Sequence, residues 1–211
     1  MTGQQIAGVF VARNALASKT ELAHGCSPLP PGHHRRIFFG LADTSDPESF
    51  GLGYEEVDGD NVVAQIPIKS FDPNDTTICL PLGPEQSIVH ETWELVNLAT
   101  ELHNFHIHQT KFRIVQKSDP RFSEKLQSDV GAGIMEDNVP LPVATPQIPE
   151  VAQNQNGYCT MDQWHIHQCE SVPIVVDIPF SQLGTFVFHC HILEHEDGGM
   201  MARIQVVAAP Q

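Results

Sequence analysis

Apolar residues fall into short runs separated by turns, and several of these runs alternate with polar residues. Residues 92–98 alternate in this way and are rich in β-branched and aromatic side chains, which predicts a core strand. Residues 36–39, 62–68 and 186–188 predict further short strands. Prolines interrupt this part of the chain, and proline is excluded from helix interiors and central strands. Because no segment has a convincing 3.6-residue period, the chain is predicted to be an all-β sandwich or barrel.

Changes in this pattern divide the chain into regions. Residues 1–34 carry little pattern and are predicted to be a tail or the remnant of a preceding domain. Residues 35–211 are predicted to form one domain. Within it, the segment at about 117–170 is predicted to be a long loop insertion, because prolines recur through it. These prolines are Pro140, Pro142, Pro146 and Pro149.

Composition and charge limit the classes of function. Only 18% of the residues are charged and 41% are hydrophobic, which is typical of a globular protein. Asp and Glu outnumber Lys and Arg by 26 to 11, for a net charge of -15, and no basic stripe is present. Nucleic acid and anionic membranes are therefore not expected as partners. No segment approaches the roughly 18 apolar residues of a spanning helix, and the N-terminal apolar run lacks the basic lead of a signal peptide.

The densest group of candidate metal ligands lies at residues 189–200. Thiol, imidazole and thioether groups are those that soft or borderline transition metals prefer, and all three occur here. Cys190, His195 and Met200 are evenly spaced along the chain. A strand, a loop and a turn can bring side chains at this spacing together around one ion. A blue-copper electron-transfer site takes two histidines, one thiolate and a weak axial methionine. This set is one histidine short.

The histidines on either side of Cys190 indicate a second site. Residues 186–188 lead into them as a strand, in which successive side chains point to opposite faces. Cys190 therefore faces one way, and His189 and His191 face the other. Metal on both sides of the strand would be connected through the Cys190 backbone, which is a layout for passing electrons. The alternative, two buried histidines beside an inert cysteine, does not account for His195 and Met200.

A second histidine motif follows the core strand, at residues 103–108. His106 and His108 share one face of an extended chain, whereas His103 has the opposite parity. His103 thus supplies the histidine that the Cys190 site lacks. The site on the opposite face then takes four histidines, namely His106, His108, His189 and His191.

Both motifs resemble the copper signatures in the last cupredoxin domain of multicopper oxidases, the laccase and cuprous oxidase group, and especially its bacterial three-domain members. The patterns are His103-x-x-His106-x-His108 and His189-Cys190-His191-x3-His195-x4-Met200. The resemblance covers about residues 35–116 and 170–208. It implies a cupredoxin-like Greek-key β-sandwich or barrel.

The resemblance also implies a role for each ligand. Type 1 copper would be bound by His103, Cys190 and His195, with Met200 as the axial ligand. Type 2 copper would be bound by His106, and type 3 copper by His108, His189 and His191. Glu196 resembles the acidic residue that supplies protons in bacterial relatives, so Cys190 and Glu196 are the predicted catalytic residues.

The activity implied by the resemblance is that of a copper-dependent oxidoreductase. A donor is oxidised by one electron at a time at type 1 copper, and electrons pass through Cys190 and His189 or His191 to a trinuclear copper centre. That centre reduces O2 to water. The donor is left open among phenols, aromatic amines, and cuprous or ferrous ions.

This chain holds only half of such a trinuclear centre. In the family, further His-x-His pairs come from an N-terminal domain, and the one spare pair here, His165 and His167, matches no copper motif of the family. Type 2 and type 3 coppers would be shared with a partner domain or subunit, without which the chain is expected to be inactive. The alternatives are an isolated cupredoxin that transfers electrons or binds copper, and a copper nitrite reductase, against which His191 weighs.

Four cysteines remain once Cys190 is assigned to metal, namely Cys26, Cys79, Cys159 and Cys169. An even number permits disulfides and an oxidising compartment, so a periplasmic or secreted location is predicted. Cys159 and Cys169 would close a small loop within the insertion. The insertion is expected to cover the type 1 site in part, with Met161, His165 and His167 as candidate accessory ligands; an inert surface loop is the alternative.

Overall fold

The computed structural model describes residues 26–116, 119–130 and 132–209. Within these ranges strands dominate, and none of the α-helices exceeds six residues. The strands are β1 (His33–Leu41), β2 (Phe50–Asp58), β3 (Asn61–Lys69), β4 (Ile78–Pro81), β5 (Val89–Asn97), β6 (His103–Ile107), β7 (Arg113–Ile114), β8 (Asn138–Leu141), β9 (Thr145–Pro146), β10 (Cys169–Glu170), β11 (Ile174–Phe180), β12 (Gly184–Cys190) and β13 (Met201–Val207). The helices are α1 (Glu124–Asp129), α2 (Pro149–Asn154), α3 (Met161–His165) and α4 (Leu193–Asp197), with a 3-10 turn at Pro84–Gln86.

Two main sheets enclose the core. One has six strands in the order β3-β2-β1-β5-β11-β7, and the other has five in the order β4-β13-β12-β6-β8. Only the β1–β5 and β4–β13 pairs are parallel among the strand pairs of these sheets. Trp93 of β5 is fully buried, and its ring lies 5.2 Å from that of Phe188 on the facing sheet. Such aromatic contacts bury the largest apolar areas of a core, and the predicted all-β sandwich is confirmed.

A smaller apolar cluster covers the outer face of the six-stranded sheet. In β1, Ile37 belongs to the main core, whereas its neighbour Phe38 packs with Val151 of α2 and Met161 of α3 on the other side. The alternation of a strand accounts for this division, because successive side chains point to opposite faces. Much of the region predicted as a loop insertion is thus a folded cover with its own small core.

Another part of the insertion extends the five-stranded sheet. Strand β8 pairs with β6, with Phe105 opposite Val139 and His103 opposite Leu141. Pro140 is compatible with this strand because β8 is the edge of the sheet, where one backbone N–H can be missing. The high proline content therefore marks an edge strand as well as loops.

Two disulfides join the four cysteines other than Cys190. Cys26 pairs with Cys79, and Cys159 pairs with Cys169, while Cys190 is a buried free thiol. The pairing that closes a small loop within the insertion is therefore as predicted. Most of the predicted N-terminal tail, residues 1–25, lies outside the described residues. No helix in the described part of the chain is long and apolar enough to cross a membrane.

Candidate metal centre

Three candidate ligands converge at one end of the main core. The Cys190 thiol lies 3.6 Å from His103 Nδ1 and 3.6 Å from His195 Nδ1, and the two Nδ1 atoms lie 2.9 Å apart. All three side chains are buried. The structure thus brings together the thiol and the two histidines that the sequence predicts as neighbours.

The sheet register accounts for this convergence. Cys190 of β12 lies opposite Phe105 of β6, and residues opposite each other in an antiparallel pair point to the same face. His103 lies two residues before Phe105, so it shares that face with Cys190. His195 comes from α4, in the turn that follows β12.

Backbone hydrogen bonds fix the loop that carries the remaining ligands. Cys190 N–H donates to the Met200 carbonyl (3.0 Å), and Met200 N–H donates to the His195 carbonyl (2.8 Å). Met200 is fully buried and belongs to the same core cluster as Cys190. Asn104 N–H donates to the Cys190 sulfur at 3.4 Å, an interaction that favours the thiolate.

Side chains outside the predicted ligand set hold the two imidazoles. Phe50 stacks on His195 with ring centroids 4.4 Å apart. The Tyr158 hydroxyl lies 3.2 Å from His103 Nε2 and is hydrogen-bonded to the Glu101 carboxylate, which is 3.8 Å from His195 Nε2. No local pattern in the sequence marks Phe50 or Tyr158, because each reaches the site from a distant part of the chain.

Burial shifts the pKa values of these groups so that their neutral forms are favoured. Desolvation, with a smaller contribution from His195, lowers the pKa of His103 to about 3. Burial likewise lowers the pKa of His195 and raises the pKa of the Cys190 thiol. Both histidines are therefore neutral near pH 7, the form in which imidazole binds a metal.

A second histidine cluster lies on the opposite side of β12 and β6. His189 is opposite His106 in the antiparallel register, and their ring centroids are 5.2 Å apart. His108 Nε2 and His189 Nε2 are 3.0 Å apart. His191 completes the cluster, with its ring centroid 5.0 Å from that of His106. The four histidines thus meet as the strand parity predicts.

Hydrogen bonds orient two of these rings. His106 Nδ1 donates to the Asp137 carbonyl (2.7 Å), and His189 Nδ1 donates to the Cys190 carbonyl (3.0 Å). In both rings Nε2 is consequently unprotonated and carries the lone pair. Burial, the largest cause, lowers the pKa values of His189 and His108, which favours neutral rings here too. His108 and His191 are exposed, so the cluster is open on one side.

Glu196 is next to this second cluster. It belongs to α4, and its Oε2 lies 3.3 Å from His189 Nδ1, while the side chain is partly exposed. The carboxylate therefore connects the histidine cluster with solvent. Glu196 is in position to bind or release a proton beside the cluster.

His165, His167 and Met161 do not join either cluster. His165 Nε2 contacts Glu55 at 2.6 Å, and Met161 packs in the outer cluster with Phe38, beyond the six-stranded sheet. The hypothesis that they are accessory ligands of the Cys190 site is thus wrong, because the sheet separates them from it. Among the described residues, the groups of at least three His, Cys, Asp or Glu side chains whose ligand atoms lie close enough to bind one metal are His103, Cys190 and His195, and His106, His108 and His189. His191 lies beside the second group.

The donor set of the first cluster fits copper. Two imidazoles and a thiolate in a trigonal arrangement, with a weak axial methionine, are typical of blue-copper sites. Metal–nitrogen and metal–sulfur bonds of about 2.0 and 2.3 Å would place the ligand atoms about 3.5 Å (N to N) and about 3.7 Å (N to S) apart in such a plane. The observed sulfur–nitrogen distances of 3.6 Å match this arrangement, and the nitrogens at 2.9 Å would separate slightly.

Comparison with known proteins gives consistent matches. Residues 60–210 match the family described as multicopper oxidase. The chain is 30% identical over 142 residues to the multicopper oxidase mco of Staphylococcus aureus, covering 65% of this chain and 23% of that protein. It is also 30% identical over 118 residues to a laccase of Bacillus stratosphericus, covering 56% of this chain and 20% of that protein.

A similar fold occurs among solved structures. A multicopper oxidase from Campylobacter jejuni, described as a metallo-oxidase, aligns with a TM-score of 0.50 at 18% identity. The alignment covers 82% of this chain and 29% of that one. The chain thus has a cupredoxin-like arrangement of sheets and spans about a quarter of the length of the curated relatives it matches.

Proposed function

This chain belongs to the multicopper oxidase family, and we propose that it provides the electron-accepting copper site and half of the oxygen-reducing centre of a copper oxidoreductase. The observation that carries the proposal is the pair of ligand clusters on opposite faces of β12, joined at Cys190. The proposed domain is residues 35–211, preceded by a tail or remnant at 1–34.

The proposed ligands follow the two clusters. Type 1 copper would be held by His103, Cys190, His195 and Met200; type 2 copper would be held by His106, and type 3 copper by His108, His189 and His191. When bound, these coppers would take single electrons from a donor and deliver them to O2, which is reduced to water.

Cys190 connects the two clusters within the chain. Its own peptide bonds lead to His189 on one side and to His191 on the other. Its carbonyl also accepts a hydrogen bond from His189 Nδ1 at 3.0 Å, which supplies a second connection. A thiolate at this position is therefore linked to the opposite histidines by short covalent and hydrogen-bonded paths.

Glu196 is proposed to supply protons for oxygen reduction. Four electrons and four protons are needed for each O2 that becomes two waters, so protons must reach the histidine cluster. The carboxylate lies 3.3 Å from His189 Nδ1, and 28% of the side chain is accessible. This combination supports a group that exchanges protons between solvent and the cluster.

A partner is proposed to complete the second cluster. His108 and His191 are exposed, and the chain spans only about a quarter of its curated relatives. An N-terminal multicopper oxidase domain or subunit would cover this open side and add further histidine ligands. Without it, the chain is proposed to be inactive as an oxidase.

The donor is proposed to approach the other cluster, where the His195 edge and the partly exposed Glu101 meet the surface. Its chemical class is a phenol, an aromatic amine, or a cuprous or ferrous ion. No nucleic acid or membrane partner is proposed. The two disulfides support an oxidising compartment, either periplasmic or secreted.

The open histidine cluster also favours a second candidate for the isolated chain. A cupredoxin module that transfers electrons or binds copper needs the buried Cys190 cluster but no oxygen-reducing centre. In that case His106, His108, His189 and His191 would have no catalytic role.

Copper counting with an oxygen electrode distinguishes these functions. The copper-loaded chain is expected to be blue because of charge transfer from Cys190 to copper, and Cys190→Ser should abolish the colour. Oxygen consumption is expected only when an N-terminal domain from a multicopper oxidase is added, and His108→Ala should prevent it. A colourless copper-loaded chain would refute the type 1 assignment, and a blue chain that never consumes oxygen with any such domain would favour the electron-transfer module.

A further inference from the structure

The insertion brings one side chain against the proposed type 1 site. The Tyr158 hydroxyl lies 3.2 Å from His103 Nε2, and the same hydroxyl is hydrogen-bonded to the Glu101 carboxylate. His103 is fully buried, and Tyr158 is 4% exposed. Water is therefore largely excluded from this contact.

The direction of these hydrogen bonds follows from the number of protons. If His103 binds a metal through Nδ1, that nitrogen carries no proton, and the single proton of the neutral ring resides on Nε2. Nε2–H then donates to the Tyr158 oxygen. The one hydroxyl proton of Tyr158 donates to Glu101, which as a carboxylate can only accept.

We infer that Tyr158, oriented by Glu101, is a positioning residue that holds His103 in the tautomer and ring orientation required to bind copper through Nδ1. The inference rests on the proposed function, in which His103 is a type 1 ligand. Groups that accept the second N–H of a ligating histidine fix its tautomer and raise its basicity. Here that group is a tyrosine, and the carboxylate acts through it.

His103 has no substitute for this contact among the described residues. The other side-chain hydrogen-bond contacts of its ring, to Cys190 and His195, are made by Nδ1. Removal of the Tyr158 hydroxyl would leave Nε2–H buried without an acceptor. The ring would then gain from moving its proton to Nδ1, at the position that the metal requires to be free.

The backbone on either side of Tyr158 is fastened to the loop that precedes His103. Cys159 N–H donates to the Leu98 carbonyl (2.8 Å), and Thr100 N–H donates to the Gly157 carbonyl (3.1 Å). Gly157 has a φ of +81°, and a Cβ there would lie 2.5 Å from the Thr100 hydroxyl oxygen. The position of Tyr158 is thus set by close backbone packing, and the insertion acts here as a brace.

The test compares Tyr158→Phe with Tyr54→Phe in the full chain. The chain has two tyrosines, and both are buried. Tyr54 accepts a hydrogen bond from Arg35 (2.7 Å), and neither residue belongs to the ligand set. Each variant therefore loses one buried hydroxyl, but only Tyr158→Phe loses a contact to a proposed ligand.

Three readouts are measured: the Cu(II) dissociation constant, the visible charge-transfer band with the reduction potential, and the His103 tautomer in the metal-free chain by nitrogen NMR. Tyr158→Phe is expected to raise the dissociation constant by about 10- to 100-fold, shift the band and potential, and add the Nδ1–H tautomer. Tyr54→Phe should leave all three unchanged. Equal values for wild type and Tyr158→Phe would overturn the inference.

A second variant covers the case in which Tyr158→Phe does not fold. The Glu101 side chain is 49% exposed, so Glu101→Ala should fold. Without the carboxylate the Tyr158 hydroxyl proton loses its acceptor, and weaker copper binding with a mixed His103 tautomer is expected; unchanged values would refute the inference. A wild-type chain without a blue band would instead refute the type 1 assignment, which is a separate outcome from an unchanged Tyr158→Phe.

Discussion

The two disulfides provide a quantitative test of how the insertion is held. Cys159 and Cys169 are separated by 10 residues, whereas Cys26 and Cys79 are separated by 53. If a cross-link stabilises by restricting the unfolded chain, these loops correspond to about 2.7 and about 4.1 kcal/mol at 25 °C. Cleavage of the longer loop should therefore cost roughly 1.4 kcal/mol more than cleavage of the shorter one.

The experiment isolates each cross-link without changing the packing around it. In a Cys26→Ala, Cys79→Ala background, the free energy of unfolding in urea is measured for the metal-free chain before and after reduction, so that only the Cys159–Cys169 bond is broken. A Cys159→Ala, Cys169→Ala background gives the other bond in the same way. Cys190 is already a free thiol in both, so reduction does not alter it.

The test compares the loss in free energy of unfolding caused by reduction of each disulfide. Reduction should lower the free energy of unfolding by about 2.7 kcal/mol for the short loop and about 4.1 kcal/mol for the long one. If the short-loop bond costs as much as the long-loop bond or more, restriction of the unfolded chain does not explain the stabilisation. Native contacts in the small outer core, where Cys159 and Cys169 are both buried, would then be the larger contribution.

Three further predictions concern the two ligand clusters. Glu196→Gln should slow oxygen reduction by the chain completed with its partner domain about 100-fold or more. Reduction of type 1 copper by the donor, followed by stopped flow, should be unchanged. Asp197→Asn is the control, and equal slowing of both steps would contradict the proton-donor role of Glu196. Gly199→Ala should destabilise the metal-free chain by about 1–3 kcal/mol in urea unfolding, because Gly199 has a φ of +102° and a Cβ would lie 2.9 Å from Ser70 Cβ. The control is Gly59→Ala, at a φ of +58° in open space, which should lower the free energy of unfolding by less. Equal losses in the two variants would show that the close approach to Ser70 is unimportant. The lowered pKa of His103, about 3 against 6.5, means that only the unfolded chain takes up this proton between these values, so the metal-free chain should lose stability as pH falls from 6.5 toward 3. His103→Gln should reduce the dependence of the free energy of unfolding on pH by up to about 1.4 kcal/mol per pH unit. An unchanged dependence would show that protonation of His103 does not cause the loss of stability.

Strand parity accounts for the part of the site that could be predicted from sequence. In β12 the side chains of His189 and Cys190 must point to opposite faces, and the same rule separates His103 from His106 in β6. These relations are local, so they can be read before the fold is known. The grouping of the ligand side chains follows from them, while the metal that each group binds remains a proposal.

Tyr158 and Phe50 could not be found in this way. Each approaches the histidines of the Cys190 cluster through tertiary packing, and Tyr158 lies in a region whose prolines predict only a loop. Its position depends on backbone pairing with residues 98–100, and no periodic pattern in the sequence predicts that pairing. The outer core around Phe38 was missed for the same reason, because the residues that cover it come from two short helices and the segments around them, without a sustained period.

The shared strands also limit how such a site can change during evolution or design. Both clusters take ligands from alternate positions of β6 and β12. Insertion or deletion of a single residue in either strand would turn its side chains to the other face and exchange the two ligand sets, so both centres would be lost together. Variation that tunes one centre alone is therefore restricted to positions that touch only that centre, such as Phe50 and the brace at Tyr158.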